Sequence, residues 1–365
     1  MTFKLRGKHG IGDFLNDTFS MVPKIWKGAL PVSAISLLPG IALFSALLAL
    51  VTGWIKPIIE TSGALDLKED PSAIFRGLGP LAVLYALVVV VLYFGQAFQK
   101  AFIVAQASAA IDGRDPSLAE LLSASFKKTW VRVTVQDAVV QALKASIALA
   151  IIGFLFFPFL VGKLGDLVRM KGSGGPDVGF ILSLILLYLG SILIAAAAAW
   201  WIGVMAAVSA PATVLEGGNS FAGIGRSLDL VRGKGWKVFG SMFVVSLVIS
   251  FGLGIVTGPI TFALIIPGYV SLLKESLSGG TPSPESIISM LSSMSWGLGV
   301  TMLISGVVKG CLWPSFLTLL YRDLCIRAGE REAWEDPSPR LATIEEMPIG
   351  HSSGSPDLPQ GPSLG

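Results

Sequence analysis

Six long runs of hydrophobic residues divide the chain, and polar or charged segments separate them. The runs lie at residues 28–54, 78–101, 139–161, 178–201, 238–256 and 294–313. An α-helix needs roughly 20 such residues to cross the hydrocarbon core of a membrane. Strands of a membrane barrel would alternate apolar and polar residues, which these runs do not. The pattern predicts an all-α polytopic membrane protein with about six transmembrane helices.

A seventh apolar stretch, residues 260–273, is shorter and is broken by Pro259 and Pro267. Three interpretations remain open: a re-entrant helix, an interfacial helix, or a kinked continuation of the fifth span. A complete seventh crossing would place the C-terminus on the opposite side of the membrane.

The positions of lysine and arginine indicate which side each segment faces. With the N-terminus inside, 18 of the 27 Lys and Arg residues fall in cytoplasmic segments and 7 fall in outside loops. Cytoplasmic loops carry such an excess in membrane proteins. We therefore expect both termini in the cytoplasm. The first apolar run is too long for a signal peptide, so the first helix is expected to be retained.

Three amphipathic segments each lead to a tryptophan and then into a span. Residues 11–27, 116–130 and 219–236 place their apolar side chains on one face at helical spacing. Such helices are suited to lying in the membrane interface. Asp115, followed by Pro116, and Asn219 are the expected N-caps. The tryptophans expected to act as interface anchors are Trp26, Trp130, Trp236 and Trp313.

The returning spans also share an ending. Each continues past the membrane and stops near a glycine, at Gly113, Gly217 and Gly329. The predicted architecture is therefore three repeated hairpins, each preceded by an interfacial amphipathic helix. The expected divisions are a basic N-terminus with an interfacial helix (1–27), a six-helix transmembrane domain (28–332) and a tail rich in Pro, Ser and Gly (333–365). The composition of the tail predicts disorder.

Composition argues against several classes of function. Hydrophobic residues make up 53% of the chain and charged residues only 14%. The two histidines, His9 and His351, lie in flanking segments, so neither a zinc site nor a Ser-His-Asp triad is expected. Cys311 and Cys325 lie about four turns apart on one predicted helix and cannot pair. We predict no catalytic site, metal or cofactor, and no nucleic-acid partner.

Polar residues within the spans are the first functional candidates, because ionisable groups are costly in lipid. They are Lys144, Lys309 and Gln141. For both lysines the favoured interpretation is snorkelling to the interface or packing, and a buried role is the alternative. No Asp or Glu lies deep in a predicted span, which argues against a proton- or sodium-coupled carrier.

A second polar set is expected on the cytoplasmic side. It contains Glu216, Arg226, Arg322 and Asp323. The favoured interpretation is that these groups hold the helix ends to the interfacial helices. The alternative is a headgroup or anion-binding site around Arg226 and Arg322. The glycine pair Gly306 and Gly310 predicts close helix contact.

Two stretches carry a resemblance to a known family. Residues 210–236 read APATVLEGGNSFAGIGRSLDLVRGKGW, and residues 319–330 read LLYRDLCIRAGE. They resemble the bacterial family known as the glycerophosphoryl diester phosphodiesterase membrane domain, with related multi-pass membrane proteins, over about residues 14–330. In some relatives the region is fused to a soluble phosphodiesterase barrel, which is not expected here. The resemblance implies a six-helix module of the bacterial inner membrane that handles or senses lipid.

These observations lead to two main hypotheses for function. The first is a non-catalytic membrane protein of structural, scaffolding or lipid-associated role. The alternative is a transporter or permease subunit for a small solute or lipid, and an intramembrane enzyme ranks last. A water-lined cavity that reaches Lys144, Lys309 or Gln141 would favour transport, whereas a solidly packed domain would argue against it. The expected partners are membrane lipids and either a second copy or another subunit of a membrane complex.

Overall fold

The computed structural model describes residues 10–60, 72–126, 129–169, 178–278 and 283–330, and the regular structure within these ranges is entirely helical. The chain separates into two units, Met1–Ala328 and Gly329–Gly365. The predicted tail (333–365) and the first nine basic-segment residues lie outside the described ranges. The helices of the described part are α1 (Ile11–Glu60), α2 (Ser72–Ile111), α3 (Leu118–Phe126), α4 (Thr129–Arg169), α5 (Val178–Met205), α6 (Ser209–Glu216), α7 (Ser220–Val231), α8 (Gly235–Leu277) and α9 (Pro284–Arg327).

Six of the described helical segments are long and apolar enough to cross a membrane, which confirms the prediction of six spans. They are α1, α2, α4, α5 together with α6, α8 and α9. Several extend well beyond the hydrocarbon core. At 1.5 Å per residue, the 50 residues of α1 reach about 75 Å, against a core of roughly 30 Å. The protein is therefore an integral membrane protein whose helices continue outside the lipid.

The stretch at residues 260–273 is a continuation of the fifth span. α8 runs through both Pro259 and Pro267 without a break. Each proline removes one backbone hydrogen bond, which membrane helices tolerate because neighbouring groups satisfy the freed carbonyls. Of the three interpretations, the continuous helix is confirmed.

The first amphipathic segment differs from the expectation of a separate interfacial helix. Residues 11–27 belong to α1, so the predicted boundary at residue 27 falls inside one helix. A buried stripe of Phe14, Met21, Ile25 and Ala29 crosses that boundary at helical spacing. The Phe14 ring meets Phe316 of α9 edge-on, with ring centroids 5.9 Å apart. Packing on α9 thus continues past the expected boundary and keeps the helix intact.

The other two amphipathic segments do form short helices ahead of their spans. Before α4 comes α3, whose cap is Ser117 rather than the expected Asp115. The Ser117 hydroxyl accepts from the Glu120 amide at 3.3 Å, and the Glu120 carboxylate accepts from the Ser117 amide at 3.1 Å. This reciprocal pair is a capping box. Their placement in a membrane interface remains a prediction.

The helix α7 precedes α8 and begins as expected. The Asn219 side chain accepts from the Ala222 amide at 2.7 Å, which confirms Asn219 as the N-cap. Its buried residues are the small Ser220, Gly223 and Ser227 and, at the end of the helix, Leu230 and Val231. Phe221 remains 66% exposed. α7 therefore packs through small residues over its first two turns and through larger apolar ones at its end, and leaves Phe221 uncovered.

The three predicted glycine endings are confirmed. Gly113 and Gly217 have φ of +70° and Gly329 has +87°. These left-handed conformations terminate helices and strongly favour glycine.

Consecutive long helices pack along each other in pairs: α1 on α2, α4 on α5, and α8 on α9. α1 and α2 also pack against α9, and α2 against α4. Close approach depends on glycines, as predicted for Gly306 and Gly310. A Cβ on Gly306 would lie 2.8 Å from Leu37 of α1, and one on Gly95 would lie 2.2 Å from the Ser36 carbonyl oxygen. These helix pairs meet at one end, where α1, α4 and α8 begin. We call this the ion-pair end, because the ion pairs that involve Arg322, Asp323, Glu216 and Asp112 all lie there.

Candidate functional site

A polar cavity of about 650 Å³ lies among the spans, and all six long helices contribute to its wall. We call it the polar cavity. Its volume falls within the roughly 300–1,000 Å³ typical of sites for small molecules. Its polar and aromatic lining residues include Gln96, Gln99, Lys100, Asp137, Gln141, Lys144, Trp200, Ser209, Ser246, Ser250, Ser305, Lys309 and Trp313.

The charges that line the polar cavity are unequal in sign. The lining contains three lysines, Lys100, Lys144 and Lys309, and one acidic residue, Asp137. Lys100 of α2 donates to the Asp137 carboxylate of α4, and the two form an ion pair. With the pair neutral overall, the described lining carries two further positive charges.

Lys144 and Lys309 face the cavity without a carboxylate partner. Among the described residues, no Asp or Glu oxygen lies within 4 Å of either ammonium group. Lys144 is half-buried and Lys309 is exposed to the cavity space. Cations at membrane depth normally pair with an anion or with carbonyl groups. The cavity is therefore suited to an anionic occupant.

Glycines shape the space that the polar side chains occupy. A Cβ on Gly203 of α5 would lie 3.2 Å from the Lys144 ammonium nitrogen. A Cβ on Gly310 of α9 would lie 1.8 Å from the Gln99 amide nitrogen. Gln99, which is 3% exposed, donates to the Gly306 carbonyl at 3.4 Å. The predicted close contact at Gly306 and Gly310 thus brings a buried amide to the cavity wall.

The sequence identified part of this site. Lys144, Lys309 and Gln141 were expected as intramembrane polar residues, and the structure places all three on the polar cavity. Lys100 lies at the end of the second predicted span, 78–101, and Asp137 lies two residues before the third, 139–161. The candidate span of the structure begins at Thr129 and so includes Asp137. The opposite charges at positions 100 and 137 were the available signal, because pairing allows a carboxylate to lie deeper than hydropathy predicts.

The second predicted polar set lies at the ion-pair end and is engaged in internal pairs. Arg226 of α7 donates to Glu216 of α6 at 2.9 Å, and the Tyr321 hydroxyl donates to the same carboxylate. Asp323 is 1% exposed and pairs with Lys237 at 3.0 Å and Arg327 at 2.6 Å. These contacts match the interpretation in which the groups hold helix ends together. The anion site around Arg226 and Arg322 stays a prediction.

Arg322 connects α9 to the end of α2. Its guanidinium is 4% exposed, donates to the Asp112 carboxylate at 2.6 Å and donates to the Ser108 hydroxyl at 2.7 Å. Burial by itself would raise the pKa of Asp112, but the hydrogen bonds and charges of Arg322 and Arg114 outweigh it. The pKa of Asp112 is therefore lowered from its usual value of 3.8.

The four tryptophans expected as anchors have different surroundings. Trp236 is 75% exposed and Trp26 is 41% exposed, as an interface residue would be. Trp130 is half-buried and meets Phe94 with ring centroids 6.1 Å apart. Trp313 lines the polar cavity. Their role as interface anchors remains a prediction. Trp313 also forms part of the cavity wall.

Protein-family models, curated proteins and solved structures were all compared with this chain, and none matches it.

Proposed function

We propose that this integral membrane protein is a carrier or permease that binds an anionic group in the polar cavity. The group belongs to either a small solute or a lipid. One observation supports this most: a cavity of about 650 Å³ among the spans, where Lys144 and Lys309 have no acidic partner among the described residues.

The physical argument rests on the cost of charge in lipid. An ammonium group removed from water loses hydration, and the loss is offset when an opposite charge lies beside it. Attraction between charges also strengthens where the dielectric constant is low. An anion bound in the cavity beside Lys144 or Lys309 would compensate the charge of that lysine. The amides of Gln96 and Gln141 add hydrogen-bond donors for its oxygens.

The polar cavity favours transport over a purely structural role. A scaffold has no need of an interior space, and close packing of small residues would be expected throughout. Asp137 is paired with Lys100, so the site has no uncommitted lining carboxylate of the kind that binds a coupling proton or sodium ion. We therefore propose passive carriage or exchange of the anion. The resemblance to a lipid-associated membrane family supports a function in which the protein handles lipid.

Location and topology are part of the proposal. The basic residues favour a bacterial inner-membrane protein with the ion-pair end facing the cytoplasm. The polar cavity then lies beyond that end, among the spans.

Native mass spectrometry of the purified protein tests the proposal. Wild type is compared with Lys144→Gln/Lys309→Gln, and Lys274→Gln serves as a control because Lys274 is exposed at the end of α8 and does not line the cavity. We expect an anionic molecule to co-purify with wild type and the control. Its occupancy should fall about fivefold for each cavity lysine replaced, the change expected for one basic residue facing an anionic group.

Circular dichroism and size-exclusion profiles establish that the double variant is folded. Equal occupancy in all three proteins would place the anion elsewhere. Absence of any retained anion in wild type, together with no uptake of added inorganic phosphate, would contradict the proposal.

A further inference from the structure

The long helices around the polar cavity pack unevenly, and α5 and α8 contact each other over only a short stretch. α5 packs along α4 and buries Ser191 and Ala195. Among the described residues, the ring contacts between α5 and α8 lie toward the ion-pair end. Trp200 meets Phe239 with centroids 6.4 Å apart, and Trp201 meets Trp236 at 5.4 Å. We call these four residues the aromatic clasp.

Beyond the aromatic clasp, the neighbouring surfaces of the two helices are uncovered. On α8, Phe243 lies one turn past Phe239 and is 50% exposed, and Leu247 is 54% exposed. On α5, Leu193 is 69% exposed. Ser246 and Ser250, which line the cavity, lie on the α8 face next to Phe243, since residues three or seven apart share a side of a helix. The cavity face of α8 therefore continues directly into an exposed apolar face.

The chemistry of this opening differs from that of the interior. The exposed residues Leu193, Phe243 and Leu247 are apolar, whereas the cavity lining carries Lys144 and Lys309, which have no carboxylate oxygen within 4 Å among the described residues. In the membrane, such apolar residues face acyl chains. A free anion would have to cross hydrocarbon to use this entrance, which is strongly unfavourable. A lipid can keep its tails in the bilayer while its headgroup enters.

We propose that the occupant of the polar cavity is an anionic lipid that enters sideways between α5 and α8. Its headgroup lies at Lys144 and Lys309, and its tails leave past Phe243 into the bilayer. The cavity has the volume of a small-molecule site, which suits a headgroup with the tails outside. This inference rests on the proposed function, because it assumes that the cavity binds an anion.

Photocrosslinking in nanodiscs tests the entrance. The nanodiscs contain equal amounts of phosphatidylglycerol, which is anionic, and phosphatidylcholine, which is neutral overall. One variant carries Phe243→p-benzoylphenylalanine at the opening. The control carries Phe262→p-benzoylphenylalanine, which replaces the same residue type on the same helix about five turns away, at a position that is 69% exposed. Mass spectrometry measures the phosphatidylglycerol share of the crosslinked lipid at each position.

We expect phosphatidylglycerol to be enriched about fivefold at position 243 relative to position 262. Adding Lys144→Gln and Lys309→Gln should abolish the enrichment while crosslinking to total lipid continues. Equal shares at both positions, or an enrichment that the lysine substitutions leave unchanged, would overturn the inference, since ordinary surrounding lipid would explain them.

Binding of inorganic phosphate to the same proteins separates this inference from the proposed function. Lysine-dependent phosphate binding without lipid enrichment at position 243 would mean that the cavity takes a soluble anion. That result would support the proposed function and contradict the proposal that a lipid enters between α5 and α8. Loss of lysine dependence for both probes would overturn both.

Discussion

At the scale of single residues, the ion pair between Lys100 and Asp137 determines how much positive charge the polar cavity presents. Both side chains are about a quarter exposed, at 26% and 22%. In lipid, removing one partner of such a pair leaves the other without compensation. Lys144 lies on the same helix as Asp137, but only Lys100 is within ion-pair distance of that carboxylate among the described residues.

Asp137→Asn should lower the stability of the protein and strengthen anion binding together. We expect a loss of about 1–3 kcal/mol, the cost of leaving one polar partner unsatisfied. Thermal unfolding in nanodiscs measures the stability, and phosphate or lipid retention measures the binding. The double variant Lys100→Gln/Asp137→Asn should recover most of the stability, because no charge is left unpaired. An asparagine variant as stable as wild type would show that the pair contributes little.

Asp112 makes the ion-pair end sensitive to acid. Its pKa is lowered in the folded protein by Arg322 and Arg114. A lowered pKa gives stability that is fully present above the unfolded value of 3.8 and is lost as pH falls through the folded value. Near neutral pH, Asp112→Asn should therefore cost about 3 kcal/mol, as expected when a buried arginine loses its carboxylate.

Unfolding midpoints measured from pH 7 down to acid check this dependence. Wild type should approach the variant only below the usual aspartate range. Asp115→Asn is the matched control, since Asp115 is exposed nearby and should leave the midpoint unchanged. A difference between wild type and Asp112→Asn that persists unaltered in strong acid would contradict the ionic explanation.

At the scale of helices, close backbone approach determines which spans can pack together. Gly95 of α2 lies against the backbone of Ser36 in α1, where a Cβ would come within 2.2 Å of a carbonyl oxygen. A backbone atom cannot move aside as a flexible side chain can. The small-residue contacts predicted from the sequence at Gly306 and Gly310 have the same origin.

Gly95→Ala should therefore destabilise the protein by about 1–3 kcal/mol through overpacking. Gly153→Ala on α4 is the control, because nothing lies within 4 Å of its added carbon and alanine favours helix. Thermal unfolding should show a lower midpoint for the first variant and an unchanged or slightly higher one for the second. Equal midpoints would mean that α1 and α2 separate at this contact without cost.

Sequence patterns predicted the elements better than their extents. Hydropathy predicted the six spans, and the positions of three glycines predicted three helix ends, where the structure shows left-handed backbone. Both signals are local. The continuity of α1 was not predicted, since it depends on packing of Phe14 against Phe316 of α9. A buried stripe that crosses an apparent boundary is visible only when its partner helix is known.

At the scale of the whole molecule, the polar cavity arises from the rotation of six helices about their axes. Lys144 and Lys309 were recognisable as unusual residues, but their convergence with Lys100 and Gln99 depends on which face each helix turns inward. The pairing of Arg322 with Asp112 at the ion-pair end could not be predicted from the sequence either, because the two residues are 210 positions apart. Long-range geometry of this kind leaves no signal in one sequence.

The proposed topology has both ends of the chain on the same side of the membrane, and the positions of the basic residues predict that this side is the cytoplasm. Reporter fusions at the N-terminus and after Glu330 should both report a cytoplasmic location. A reporter placed after residue 60 should report the opposite side. Fusions at the two ends that disagree would rule out an even number of crossings.

We propose that water reaches a positively charged cavity among the spans. Thiol labelling of introduced cysteines in intact membranes tests this most directly. Ser305, which lines the cavity, is replaced by cysteine, and Leu149→Cys is the control because Leu149 is 70% exposed within an apolar span and does not line the cavity. The native Cys311 and Cys325 are buried and should contribute little background. We predict that a negatively charged thiosulfonate labels Ser305→Cys faster than a positively charged one does, and that neither labels Leu149→Cys, because thiolates form only where water reaches. An unreactive cysteine at position 305, or faster labelling by the positively charged reagent, would contradict the account.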